Sequence, residues 1–227
     1  MPARRPVAIA FDVIETMFSL EALRPRLVAL GLPSHALEAW FGRLLRDAFA
    51  LDAAEIYKPF REVAAGSLEV LCATQGVRAD AAALERVLAG FTELDVHPDV
   101  EPALKQLSKA GVTIATLTNG AAASTRKLLE RAALDRYVSR VLSIDEVKRW
   151  KPRREVYLHA AAALEVEPER LALVAAHAWD VQGAQRAGLV GAWVSRLEKR
   201  YHPAMSPPDL SADDLASLAE RLLALPG

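Results

Sequence analysis

Only one cysteine, Cys72, occurs in the chain, so no intrachain disulfide can form and the fold must hold without staples. A lone cysteine in an apolar helical stretch reads as a small core hydrophobe, and a reducing compartment is the expected setting. Neither charge is in excess: 28 lysines and arginines face 29 aspartates and glutamates, a net charge of -1. That balance offers no electrostatic basis for gripping a phosphate backbone and leaves no acidic tail, so nucleic acid is not an expected partner. No apolar run reaches membrane-spanning length, and the run before Asp12, about half a dozen residues, is also too short for a signal-peptide core. A cytoplasmic protein without membrane attachment is expected. Solenoid-length repeats are missing, and so are low-complexity tracts apart from alanine-rich helices. What the chain does have is a hydrophobic fraction of 52%, enough in 227 residues for one large domain or for a core with a modest insertion.

Val7 to Phe11 is continuously apolar with no period, the pattern of a strand buried on both faces of a parallel sheet, and it ends at a charge, Asp12. From Ser19 to about Glu93 no strand pattern stands out. Helical patterns fill that block, as over Ala36 to Ala53 and Ala79 to Phe91, broken by Gly31-Leu32-Pro33, Lys58-Pro59 and Gly76. After His97-Pro98 the rhythm alternates. A helix near Asp99 to Ala110 precedes a strand over Val112 to Thr118, a helix after Gly120 and a strand over Arg140 to Ile144. A helix over Arg153 to Leu164 then leads to strand Leu171 to Ala175, helix Asp180 to Ala187, strand Val190 to Val194 and a last helix over Ser211 to Leu225. Such alternation predicts an α/β fold: a doubly wound, mainly parallel, Rossmann-like sheet with helices on both faces and an all-helical insertion after the first strand. The expected division is a core of residues 1–17 and 94–227 and a helical cap of residues 18–93.

Ligands of such sheets bind beyond the carboxyl ends of the strands. The polar residues expected there are Asp12 and Thr16, then Thr118-Asn119-Gly120, then Lys151, then His177 and Asp180. Two carboxylates and a lysine converging at strand ends would supply a nucleophile, a cation that keeps it ionised, and a base or anchor. Singly each has an ordinary reading, as a turn cap or a surface Lys-Pro turn.

In order and spacing these residues resemble the haloacid dehalogenase superfamily, whose four motifs correspond to Phe11-Asp12-Val13-Ile14-Glu15-Thr16, Leu117-Thr118-Asn119-Gly120, Lys151-Pro152, and Ala176-His177-Ala178-Trp179-Asp180 with Gly183-Ala184 and Gly188 behind. Phosphatases of the superfamily carry a proton-donating aspartate two positions after the nucleophile, where this chain has Ile14. Isoleucine cannot donate a proton, an omission worth roughly a hundredfold or more in phosphoester cleavage. A halide leaves without needing one. The fourth motif holds a single acid, Asp180, whereas a hard cation wants several oxygen ligands, so no metal and no other cofactor is expected. Trp179-Asp180-Val181-Gln182-Gly183-Ala184 is similar to the type II 2-haloacid dehalogenases.

The resemblance implies that Asp12 displaces halide from a short 2-haloalkanoic acid and forms an ester that water then cleaves. Lys151 would hold Asp12 ionised, Asp180 would position Lys151 or activate water, Thr16 and Thr118 would hydrogen-bond the carboxylates, and Tyr157 would support the charged network. Asn119 and backbone amides at helix starts would hold the substrate carboxylate. Phe41, Leu45, Phe60 and Trp179 would form a dry wall, or plain packing between cap and core. The implied partner is a small carboxylic acid, with a second copy of the chain as homodimer. The alternatives are a phosphatase of the same fold or an inactive ligand-binding relative.

Three positions depart from the subfamily pattern. Phe41 stands where an arginine usually meets substrate and halide, with Arg43 and Arg46 nearby on other faces of the helix. Ala175-Ala176-His177 replaces serines followed by asparagine, so His177 either supplies a cation or acts as a neutral partner of Asp180 or a backbone carbonyl. Glu15 replaces a glycine.

Overall fold

The computed structural model describes residues 3–227. The first strand, β1 (Ala8–Phe11), is buried along its whole length and sits mid-sheet between β4 (Thr113–Thr118) and β6 (Leu171–Ala175), parallel to both. Flanking them are β5 (Arg140–Ser143), β7 (Val190–Val194) and β8 (Leu210–Ala212), giving a six-stranded parallel sheet in the order β5-β4-β1-β6-β7-β8. Unbroken apolar runs such as Ala-Ile-Ala-Phe and Leu-Ala-Leu-Val-Ala suit strands covered on both faces. The covering helices are α5 (Val100–Lys109) with α9 (Leu215–Leu223), and α7 (Arg154–Ala163) with α8 (Ala178–Ala187), each pair packed together, while α6 (Ala122–Arg131) joins β4 to β5. Winding runs one way from β1 through β4 to β5 and the other way from β6 to β8. The reversal opens a crevice at the carboxyl end of β1, the place where open α/β sheets take their ligands.

Between β1 and β4 the chain detours through four helices, α1 (Arg24–Ala29), α2 (Ala36–Ala53), α3 (Phe60–Thr74) and α4 (Ala81–Ala89). It leaves and returns through a two-stranded antiparallel ribbon, β2 (Phe18–Ser19) against β3 (Asp95–Val96). The ribbon was not anticipated, because two residues per strand are too few to show a period. Nor was β8, which occupies the start of the stretch expected to be the last helix; that helix begins only at Leu215, where Asp214 caps it by accepting from the Ser217 amide. Cys72 is buried in α3.

Aromatic packing ties the detour together and to the sheet. Trp40 on α2 donates its indole N–H to Ala64 O at 3.0 Å and lies tilted against Phe91, while Phe60 lies edge-on to Phe91 and stacks on Trp150. Asp52, at the end of α2, reaches 98 residues along the chain to accept the Trp150 amide at 3.1 Å, and its other oxygen takes the Arg153 guanidinium. The segment that carries Lys151 is therefore clamped from above by α2.

Candidate active site

Phe11 pairs with Val174 of β6, and the Asp12 amide continues that ladder by donating to Val174 O at 2.9 Å, so the Asp12 carboxylate emerges where β1 stops. Thr16, one turn on, donates to Asp12 Oδ2 at 2.6 Å and accepts the Ala176 amide at 2.9 Å, linking the loops after β1 and β6. Lys151 is fully buried. Its ammonium donates to Asp12 Oδ1 at 2.7 Å, to Asp180 Oδ2 at 2.6 Å and to Leu117 O at 3.0 Å, which uses all three of its protons. Asp180, in the first turn of α8, accepts the Tyr157 hydroxyl on its other oxygen at 2.6 Å. Gly183 makes this possible: a Cβ there would stand 2.6 Å from both Tyr157 Oη and Pro152 Cβ.

The charges in this cluster depend on one another. Burial by itself would lower the Lys151 ammonium, but Asp12 and Asp180 outweigh it and hold the lysine above its ordinary value. Complete burial pushes the Asp180 carboxyl up, opposed by Lys151, and pushes the Tyr157 hydroxyl up as well, which keeps it a donor. Lys151, Thr16 and Tyr157 place one donor on each oxygen of Asp12 and Asp180, and among the described residues no group of three or more His, Cys, Asp or Glu side chains converges as a metal site would require.

Above Asp12 lies a small cavity of about 20 Å³, lined by Ile14, Phe41, Leu45, Phe60, Thr118, Asn119, His177 and Trp179. In this closed form it has room for about one water, far below the ~300–1,000 Å³ typical of pockets for drug-sized ligands. Phe41 and Leu45 are four apart on α2 and so present one face, whereas Arg43 and Arg46 do not line it, Arg46 being paired with Asp47. The residues expected from the sequence thus come together around one space, with Tyr157 and Asp180 beneath it.

Two residues, Thr118 and His177, differ from expectation. Thr118 bonds neither carboxylate; the turn after β4 places its hydroxyl 2.9 Å from the Gly120 amide, which it accepts, and on the cavity wall. Burial, the largest influence on His177, disfavours its charged form and lowers it below its ordinary value despite the pull of Asp12 and Glu198. Its Nδ1 is buried without a hydrogen bond, so through that nitrogen it partners neither Asp180 nor a carbonyl. Glu15 keeps the conformation a glycine would favour, φ 69°, and its carboxylate accepts the Leu20 amide at 2.8 Å. Asn119 accepts the Lys151 amide through Oδ1 at 3.1 Å. Asp52 went unnoticed in the sequence, where nothing local distinguishes it from an exposed helical aspartate.

Residues 7–188 match the profile of the haloacid dehalogenase-like hydrolases. Among characterised proteins, (S)-2-haloacid dehalogenase 1 of Pseudomonas sp. (strain CBS-3) is 32% identical over 140 residues, 62% of each chain, so that match spans less than two thirds of the relative. The (S)-2-haloacid dehalogenase of Pseudomonas sp. (strain YL) is 25% identical over 93% of this chain and 92% of its own. Among solved structures, the L-2-haloacid dehalogenase RSc1362 superposes with a TM-score of 0.91 at 25% identity, covering 99% of this chain and 100% of that one. A carboxylate at the end of the first strand, a lysine shared between two carboxylates and a match over most of the length agree: the chain belongs to the haloacid dehalogenase-like hydrolase family.

Proposed function

We propose that the protein hydrolyses the carbon–halogen bond of short 2-haloalkanoic acids, without a metal, through an ester on Asp12. The observation that carries this reading is the floor of the cavity: one buried ammonium shared by two carboxylates, with only Asp12 facing the space where a substrate would sit. Lys151 and Thr16 hold the Asp12 oxygens in place, so the nucleophile is oriented before substrate arrives. One oxygen attacks the carbon bearing the halogen from the side opposite the leaving group, inverting that centre and releasing halide. Ile14 lines the cavity where a phosphatase would need a proton donor, and halide departure needs none. Phe41, Leu45, Phe60 and Trp179 exclude water and deprive the carboxylate nucleophile of solvation. Thr118 and the Nδ2 amide of Asn119 remain to bind the substrate carboxylate or the departing halide. Residues 18–93 act as the cap that closes over the core. The family resemblance implies that the protein works in the cytoplasm as a homodimer. Halide release from a panel of chloro-, bromo- and fluoro-acids tests the assignment: release that disappears in Asp12→Asn supports it, and an intact protein that releases halide from none of them contradicts it.

A further inference from the structure

Resting on that reading, we propose that His177 is the general base of the second half-reaction, taking the proton of the water that cleaves the Asp12 ester. Its Nδ1 is buried, has no hydrogen-bond partner and lies 4.0 Å from Asp12 Oδ2. That distance is too long for a direct hydrogen bond, and since Nδ1 has no water-accessible surface in the resting site, the water joining the two atoms enters as the halide leaves. His177 occupies the N-cap position of α8, where a side chain ordinarily bonds the first-turn amides; here it makes no capping bond, and the ring is held between Phe41 and Trp179 on the cavity wall. Asp180, the other candidate base, has both oxygens committed to Lys151 and Tyr157 and does not line the cavity.

The step balances as follows. The water oxygen bonds to the Asp12 carbonyl carbon while its proton passes to Nδ1, with the Nε2–H tautomer providing the lone pair. The tetrahedral intermediate then breaks the bond from that carbon to the substrate oxygen, and the leaving alkoxide recovers the proton from Nδ1 as the 2-hydroxy acid departs. Asp12 loses its remaining proton to solvent and returns to the Lys151 ion pair. The groups that set the charge of His177 are Asp12 and Glu198, which favour its protonation, and Lys151, which opposes it, all against the dominant effect of burial.

Quenched single turnovers of wild type, His177→Gln and His177→Ala, with mass analysis of the Asp12 peptide, test this. Both variants are expected to release about one equivalent of halide in a burst and then accumulate ester, with hydrolysis slowed roughly a hundredfold. Wild-type ester hydrolysis should fall in acid with a midpoint below 6.5, and this limb should vanish in the variants. Ester hydrolysis at wild-type rate in the variants, or a change in KM alone, overturns the role of His177 and leaves the ester mechanism standing. A flat wild-type hydrolysis rate below pH 6.5 overturns it without any variant. No ester in wild type overturns both proposals.

Discussion

The floor and the roof of the cavity are built on opposite terms. In the floor every polar group is matched: the Lys151 ammonium has three acceptors, and Asp12 and Asp180 each have a donor on both oxygens. A fully buried ammonium costs several kcal/mol in lost hydration, which is recovered only when the partners are this well placed. The roof, formed by Phe41, Leu45, Phe60 and Trp179, is aromatic and aliphatic, and beside it His177 Nδ1 is left unmatched. A matched polar network resists change because altering one member strands the others. An apolar wall tolerates exchange at the cost of packing alone. The contrast teaches that the reaction is written into the strand ends, whereas the choice of substrate is written into α2 and the start of α8.

The largest break is expected at the floor. Asp12→Asn removes the nucleophile and should lower halide release by more than about a thousandfold in a steady-state assay. Lys151→Met leaves two buried carboxylates unpaired; chemical denaturation should show a loss of about 3–5 kcal/mol along with loss of activity. Asp52→Ala cuts the clamp on the Trp150 amide and Arg153, with an expected loss of about 1–3 kcal/mol and a lower kcat, both in the same preparation. The roof should answer more gently. Phe41→Arg introduces a cation into the apolar wall and is expected to lower KM for a haloacid by about tenfold through a charge-assisted bond to its carboxylate, with kcat little changed. If KM does not fall, the roof does not contact the carboxylate.

The pH dependence sharpens the same contrast. Lys151 is held above 10.5 by its carboxylates, so the ammonium, and the stability its ion pairs contribute, is fully present below 10.5 and is lost only as pH rises through the higher folded value. Halide release should therefore stay level from neutrality to pH 10. A decline centred near 9 would show that the floor is less well matched than its geometry indicates.

Much of this could be read from the sequence because it depends on long patterns. The bounds of β6, β7 and α2 coincide with the apolar runs and the helical period that announced them. The meeting of Asp12, Lys151 and Asp180 followed from where strands end in a parallel sheet. Short or long-range features stayed hidden. The β2-β3 ribbon has two residues per strand, β8 is recruited by backbone pairing at the sheet edge, and Asp52 acquires its purpose from a residue 98 positions away. Thr118 was given the wrong partner because the turn to Gly120 depends on backbone angles that residue type does not dictate.

The central claim is that Asp12 itself bonds to substrate, and a single turnover in ¹⁸O-labelled water with enzyme in excess tests it most directly. The account predicts that the heavy oxygen enters the Asp12 carboxylate while the first 2-hydroxy acid released is unlabelled. Label in the product of that first turnover, with none in Asp12, would mean that water attacks the substrate directly and would contradict it.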